Sequence, residues 1–210
     1  MTYCSSLIKN NQIEYARSII DSSYERLRDN ADFILLRANL DLKLGDLRSV
    51  RKSLDNVLSK DPENEKAISL LGICYLRSFD FNNARHYIYK ALDLCSSPEA
   101  FTNAIFYNSI LDDQNETLRL IEVFLETYPD NNNAKTLKGF HLLRQTQFKP
   151  GWDHYKYRNS KDPLVTYIKN NNQIDEWDLR SSVDNILLIA DQGIGDEVMF
   201  VRILDLLDIT

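Results

Sequence analysis

The chain has 210 residues, 43% hydrophobic and 27% charged, the balance of a globular chain able to bury a core. A net charge of −6 argues against a general binder of nucleic acid or anionic membrane, because phosphate contacts require clustered cations. Six glycines and five prolines are too few for the turns of an all-β protein, which leaves an all-α class.

The first element is partial. Asn11-Gln12-Ile13 followed by Ala16 and Ile20 reads as the second half of a helix pair whose first half is incomplete. From Ala31 the sequence begins to repeat itself. Phe33, Leu36, Leu40 and Leu44 recur at helical spacing and predict a helix with one buried face. Gly45-Asp46 breaks it, glycine suiting a left-handed helix end and aspartate a helix start. Leu47, Val50, Leu54, Val57 and Leu58 form the second helix, which stops before Asp61-Pro62.

The same pattern returns from Glu65. Gly72 falls beneath Ala38, Phe79-Asp80-Phe81 beneath Gly45-Asp46-Leu47, and Ala84, Ile88 and Ala91 beneath Val50, Leu54 and Val57. A third copy from Pro98 carries Thr117, Ile121 and Phe124 at those later sites and ends at Pro129, although Ala104 and Tyr107 also fit a one-residue shift. A fourth from Asn132 carries Gly139, Gly151, Tyr155 and Arg158. The starts at 31, 65, 98 and 132 are therefore 34, 33 and 34 residues apart. Ala38, Gly72, Ala84 and Ala91 are small enough to let neighbouring helices approach closely.

Beyond Arg158 the periodicity fails. Residues 159–184 are polar, with Pro163, Asn170-Asn171-Asn172 and a lone Trp177, and read as a linker. Asn185 to Ala190 is a short β-branched run followed by Asp191-Gln192-Gly193-Ile194-Gly195-Asp196 and an apolar stretch from Glu197 to Leu207. Strand, glycine turn and helix predict a truncated βα unit over 185–210. Val198 stands where a dinucleotide fingerprint requires its third glycine, and no lysine follows to make a P-loop.

The longest apolar run, Ile186 to Ala190, is far short of the ~20 residues of a bilayer span. Met1 to Ile20 contains no continuous apolar segment or small-residue cleavage site, so the expected compartment is the cytoplasm. Cys4, Cys74 and Cys95 form no C-x-x-C, and Cys74 lies in an apolar stretch, as a buried hydrophobe would. His86, His141 and His154 lack metal-ligand spacing; His141 is expected within a helix and His154 at a linker or surface. No cofactor or metal is expected. Between Lys135 and Lys161 stand seven cations (Lys135, Lys138, Arg144, Lys149, Lys156, Arg158, Lys161) and one acid, Asp153. That window is +6 against −12 for the remainder, and it is either a solvated face or a site for acidic partners.

Leu71-Gly72-x-x-Tyr75 with Ala84, Ile88, Ala91 and the terminators Pro62 and Pro129 resembles the tetratricopeptide repeat. Arg37 and Lys138, at usually apolar sites, and Lys135, where an aromatic is common, depart from it. The resemblance implies a right-handed superhelical stack of antiparallel helix pairs over 1–158 and a role as a protein-protein interaction scaffold. It also implies a concave wall lined by first-helix residues, where a protein or peptide partner binds. Carried over by register, the groove candidates are Asn39, Lys43, Ile73, Arg77, Phe106, Ile110, Phe140 and Arg144, with Leu35, Leu42, Leu76 and Leu143 beside them. The competing expectation is that the apolar members simply pack between helices. Leu35 replaces the lysine that a carboxylate clamp would place one turn before Asn39, so that specific function is excluded.

Gly151-Trp152-x-x-Tyr155, Trp177 and the Gly195-Asp196 pair resemble the heptosyltransferase-like glycosyltransferases that bacteria fuse to such repeats. This implies that the chain is the N-terminal part, or a shortened relative, of a repeat-fused transferase. There Asp196 would help to activate an acceptor hydroxyl; its alternative role is a helix cap. Only 26 residues follow from Asn185 onward, too few for two Rossmann-like halves, so the chain as it stands is expected to transfer no sugar. The strand Ile186 to Ala190 is expected to pack on the last repeat or to pair between chains.

Overall fold

A computed structural model describes residues 2–159, 166–168 and 170. Among them are ten α-helices and no strand: α1 (Thr2–Lys9), α2 (Ile13–Leu27), α3 (Ala31–Leu44), α4 (Leu47–Lys60), α5 (Glu65–Arg77), α6 (Phe81–Leu94), α7 (Pro98–Ile110), α8 (Gln114–Thr127), α9 (Asn132–Arg144) and α10 (Phe148–Tyr155). Each odd-numbered helix packs on the next to form five successive pairs. Helices α3, α5, α7 and α9 begin at residues 31, 65, 98 and 132, the starts expected from the repeat.

The chain divides after Tyr155 into two units. The first holds all ten helices. In the second, Lys156–Asn159 form a 3-10 turn, and residues 166–168 and 170 are helical. The rest of the expected linker, Trp177, the strand Ile186 to Ala190 with its pairing, and Asp196 lie outside the described residues.

Capping at fixed intervals places the helix starts. The side chains of Asn30, Asn64, Ser97 and Asn131 accept hydrogen bonds from the backbone N–H three residues on, opening α3, α5, α7 and α9. Asp46, Asp80 and Asp113 do the same for α4, α6 and α8. Each such cap stabilises its helix by about 1 kcal/mol.

The corner between the helices of each pair is left-handed. Asn11, Gly45, Phe79, Asp112 and Thr146 all have positive φ, at intervals of 34, 34, 33 and 34 residues. Gly45 meets this requirement most easily, Asn11 and Asp112 are residues that tolerate it, and Phe79 and Thr146 hold it at a cost.

Helix α3 departs from the single buried face expected of it. Phe33, Leu36 and Leu40 pack with Leu7, Ile8, Ala16 and Ile20 of the first pair. Ile34, Leu35, Ala38 and Leu42 pack with Val50, Leu54, Ala67 and Leu71 on the other side. An inner helix of a stack lies between two neighbours and buries two faces, while Leu44 at its end stays exposed.

In the third copy the register from Pro98 holds. Ile105 lies eight residues before its helix cap Asp113, as Gly72 does before Asp80 and Ala38 before Asp46. Ala104 and Tyr107 are buried as well, and the Tyr107 hydroxyl donates to the Phe81 carbonyl. A polar chain ties the second and third copies: Asn108 Nδ2 donates to Tyr89 Oη at 2.9 Å, and Tyr89 donates to Glu116 Oε1 at 3.1 Å. Glu116 in turn accepts two hydrogen bonds from Arg119 at 2.7 Å, which chiefly hold its carboxyl below the usual carboxylate range.

Close approach is built into α5 and α9. A Cβ on Gly72 would lie 2.7 Å from Ile88 Cγ1, and one on Gly139 only 2.5 Å from the Tyr155 backbone nitrogen. Ala38, Ala84 and Ala91 are fully or almost fully buried at the corresponding helix contacts, and Tyr75 stacks on Tyr87 with centroids 5.4 Å apart. Pro62 and Pro129 lie just past the C-terminal ends of α4 and α8, where a missing N–H costs the helix nothing.

Candidate functional site

The first helices touch one another from pair to pair, α1 with α3, α3 with α5 and α5 with α7, and no two successive second helices pack to that extent. The wall built by the first helices is therefore the tighter, inner side of the array.

Two rows of residues run across it. The ninth positions of α3, α5, α7 and α9 are Asn39, Ile73, Phe106 and Phe140, and the thirteenth, one turn on, are Lys43, Arg77, Ile110 and Arg144. The eight groove candidates are these two rows. Phe106 is 57% exposed, Phe140 50% and Ile110 46%, which marks them as surface and not core. Ile73 is half-buried against the core around Ala38 and Leu71. Leu42 and Leu76 are buried, correcting their placement on the open wall, because an inner helix turns these positions into its neighbours; Leu35 is buried too, yet lines a cleft on the first-helix side. Phe140 is also anchored from behind, its ring 4.7 Å from that of Tyr155 in an edge-to-face pair.

The wall changes character along its length. Asn39, Lys43 and Arg77 are exposed polar groups over the first two complete pairs. Arg77 is braced there, one guanidinium nitrogen donating to the Leu42 carbonyl at 2.6 Å. Over the last two pairs the same rows hold Phe106, Ile110 and Phe140. Arg144, the remaining cation of the row, meets Asp112 at 2.8 Å and is charge-compensated.

Near the N-terminal ends of α3, α5 and α7 the surface opens into a cleft of about 710 Å³, lined among others by Asp32, Asn39, Glu65, Lys66, Ser69 and Glu99. Lys66 lies 4.0 Å from Asp32, leaving this end acidic. Across the wall Asn103 donates to Ser69 Oγ at 3.1 Å and Asn133 to Thr102 Oγ1 at 2.9 Å. These polar links between copies were not expected from the sequence, although Ser69 and Thr102, both at the fifth position of their helix, were the visible signal.

Much of the basic window is spent within the fold. Lys138 meets Glu122 at 2.9 Å, Lys135 approaches Asp130 at 3.8 Å, and Arg144 has Asp112. Lys156 lies over the Tyr157 ring in the second unit. His141 is buried in α9, and burial, with Arg144 nearby, pushes its imidazole below the ordinary pKa. His154 lies in α10 and is half-buried, not in a linker; burial and Lys138 shift it the same way. Cys74 is fully buried. Among the described residues no helix is long and apolar enough to cross a membrane, and no cluster of His, Cys, Asp or Glu is disposed to hold a metal ion.

Paired helices at a 33–34-residue repeat, small residues at the pair contacts and an inner wall of first helices define the tetratricopeptide-repeat fold. Solved structures agree. A thermophilic tetratricopeptide-repeat protein of Thermus thermophilus superposes with a TM-score of 0.69 at 10% identity, covering 82% of this chain and 95% of that one. PilF of Pseudomonas aeruginosa gives 0.61 at 12% identity, covering 76% and 73%. A tetratricopeptide repeat protein from Parabacteroides merdae gives 0.60 at 15% identity, covering 81% and 70%. At these identities the likeness is one of fold. No protein-family model matches the chain, and no curated protein sequence matches it.

Proposed function

We propose that this chain is a protein-interaction scaffold whose inner wall receives a segment of a partner protein. The carrying observation is the exposure of Phe106, Ile110 and Phe140 on adjacent first helices. Single exposed apolar residues need no explanation, but grouped large ones on a concave wall mark a recognition surface. Substituting Phe106 and Phe140 together by Ser should abolish partner capture from an extract while circular dichroism keeps its helical signal. Tyr15→Ser, at an exposed aromatic of α2, serves as the control that should bind normally. Lost helicity, or unchanged capture, would reject the groove.

That the array is joined to a glycosyltransferase-type domain is a finer proposal, supported only by the sequence of residues 151–208. In the helical unit Gly151 and Tyr155 serve packing: a Cβ on Gly151 would lie 2.8 Å from Leu143 Cγ, and Tyr155 is buried. Sugar transfer from a nucleotide sugar by the protein expressed from the complete gene, lost in Asp196→Asn, would support the transferase, and no transfer would count against it.

A further inference from the structure

We infer that the segment received by the inner wall is bipartite, an acidic stretch followed at a set distance by an apolar one; this rests on the groove proposed above. The two rows carry the chemistry. Over α3 and α5 they present Asn39, Lys43 and Arg77 around a half-buried Ile73, and over α7 and α9 they present Phe106, Ile110 and Phe140. Arg144 does not blur the division, because Asp112 at 2.8 Å compensates its charge. Arg77 is braced instead by the neutral Leu42 carbonyl, and that contact aims the guanidinium without satisfying all its N–H groups.

Charge complementarity then fixes what can lie there. A carboxylate is drawn to Lys43 and Arg77, at the C-terminal ends of α3 and α5. It is repelled from the cleft at the N-terminal ends of α3, α5 and α7, where Asp32, Glu65 and Glu99 face a single Lys66. Apolar or aromatic side chains gain by covering Phe106 and Phe140, which offer large surfaces at little entropic cost.

Geometry sets the spacing. Neighbouring packed helices lie about 8–10 Å apart, so the midpoint of the cationic pair is roughly 20 Å from that of the aromatic pair. An extended chain advances about 3.3 Å per residue, so the acidic and apolar groups of the partner lie about six residues apart, with successive apolar contacts about three residues apart.

A library of random 16-residue peptides displayed on phage and selected against the purified full chain tests this. The wild type should enrich peptides with two acidic residues about six positions from an apolar pair. Selection on Lys43→Glu should lose the acidic preference and keep the apolar one, and selection on Phe106→Ser should do the reverse. A peptide selected on the wild type should bind Lys43→Glu about tenfold more weakly at low salt, with the difference vanishing near 1 M salt, where the screening length is only about 3 Å. Lys43→Gln, a milder change at the same exposed site, gives a smaller loss in the same direction and stands in if the reversal disturbs folding. Enriched peptides of another composition, or the same acidic preference on Lys43→Glu, would overturn the bipartite partner and leave the groove standing. No enrichment, or peptides indifferent to Phe106→Ser, would instead reject the groove itself.

Discussion

Gly139→Ala should destabilise the last helix pair although alanine is the better helix former. Helix propensity alone favours the substitution by about 1 kcal/mol. Against it, the new Cβ would lie 2.5 Å from the Tyr155 nitrogen, 2.8 Å from Tyr155 Cα and 3.0 Å from the Gly151 carbonyl oxygen. All three are backbone atoms, which cannot rotate aside. Ordinary carbon contacts begin near 3.5 Å, so α9 and α10 must part by roughly 1 Å. That displacement loosens the Phe140–Tyr155 ring pair and the seat of Leu143 against Gly151. Overpacking of this kind costs about 1–3 kcal/mol, and the lost contacts add to it, so the net loss should be about 2 kcal/mol. Repeat arrays are stabilised by nearest-neighbour terms, so the loss should be local. Hydrogen exchange read helix by helix should show faster amides in α9 and α10 and nearly unchanged protection in α3 to α6. Gly72→Ala is the comparison: its closest contact, at 2.7 Å, is the Ile88 side chain, which can yield, and the effect should be smaller. A Gly139→Ala protein as stable as the wild type would refute the close approach of α9 and α10.

Two further outcomes follow from single residues. Because the folded-state pKa of His141 is lowered, the unfolded chain binds a proton there first; stability is full above about pH 6.5 and falls as pH drops through the folded-state value. Urea midpoints at pH 7.5 and 5.5 should therefore differ less in His141→Leu than in the wild type, and an equal difference would remove His141 as a cause. Phe79→Gly should raise stability by about 1 kcal/mol, because the corner is left-handed and the Phe79 side chain, 77% exposed, gives back little burial. A thermal melt checks this, and a lowered midpoint would show that its ring contact with Phe81 outweighs the backbone strain.

What the sequence determined by itself was the period. Apolar positions at 3.6-residue spacing, Gly45, and the prolines after α4 and α8 locate the helix pairs, because local periodicity and backbone restrictions act within a few residues. The caps Asn30, Asn64, Ser97 and Asn131 carry the same information, for the same local reason. The eight groove candidates follow from register only once the tetratricopeptide resemblance implies that first helices line the wall. Tertiary structure decided which of their neighbours are surface. Leu35, Leu42 and Leu76 are as apolar as Ile110, yet the stack buries them and leaves Ile110 open, because burial depends on where the adjacent pair lies. It also decided the state of the cations: no spacing rule brings Arg144 to Asp112 or Arg77 to the Leu42 carbonyl, contacts 32 and 35 residues apart in sequence. The left-handed corners at Phe79 and Thr146 belong to the same class. Their residues do not ask for that conformation, and the packing of each helix pair imposes it.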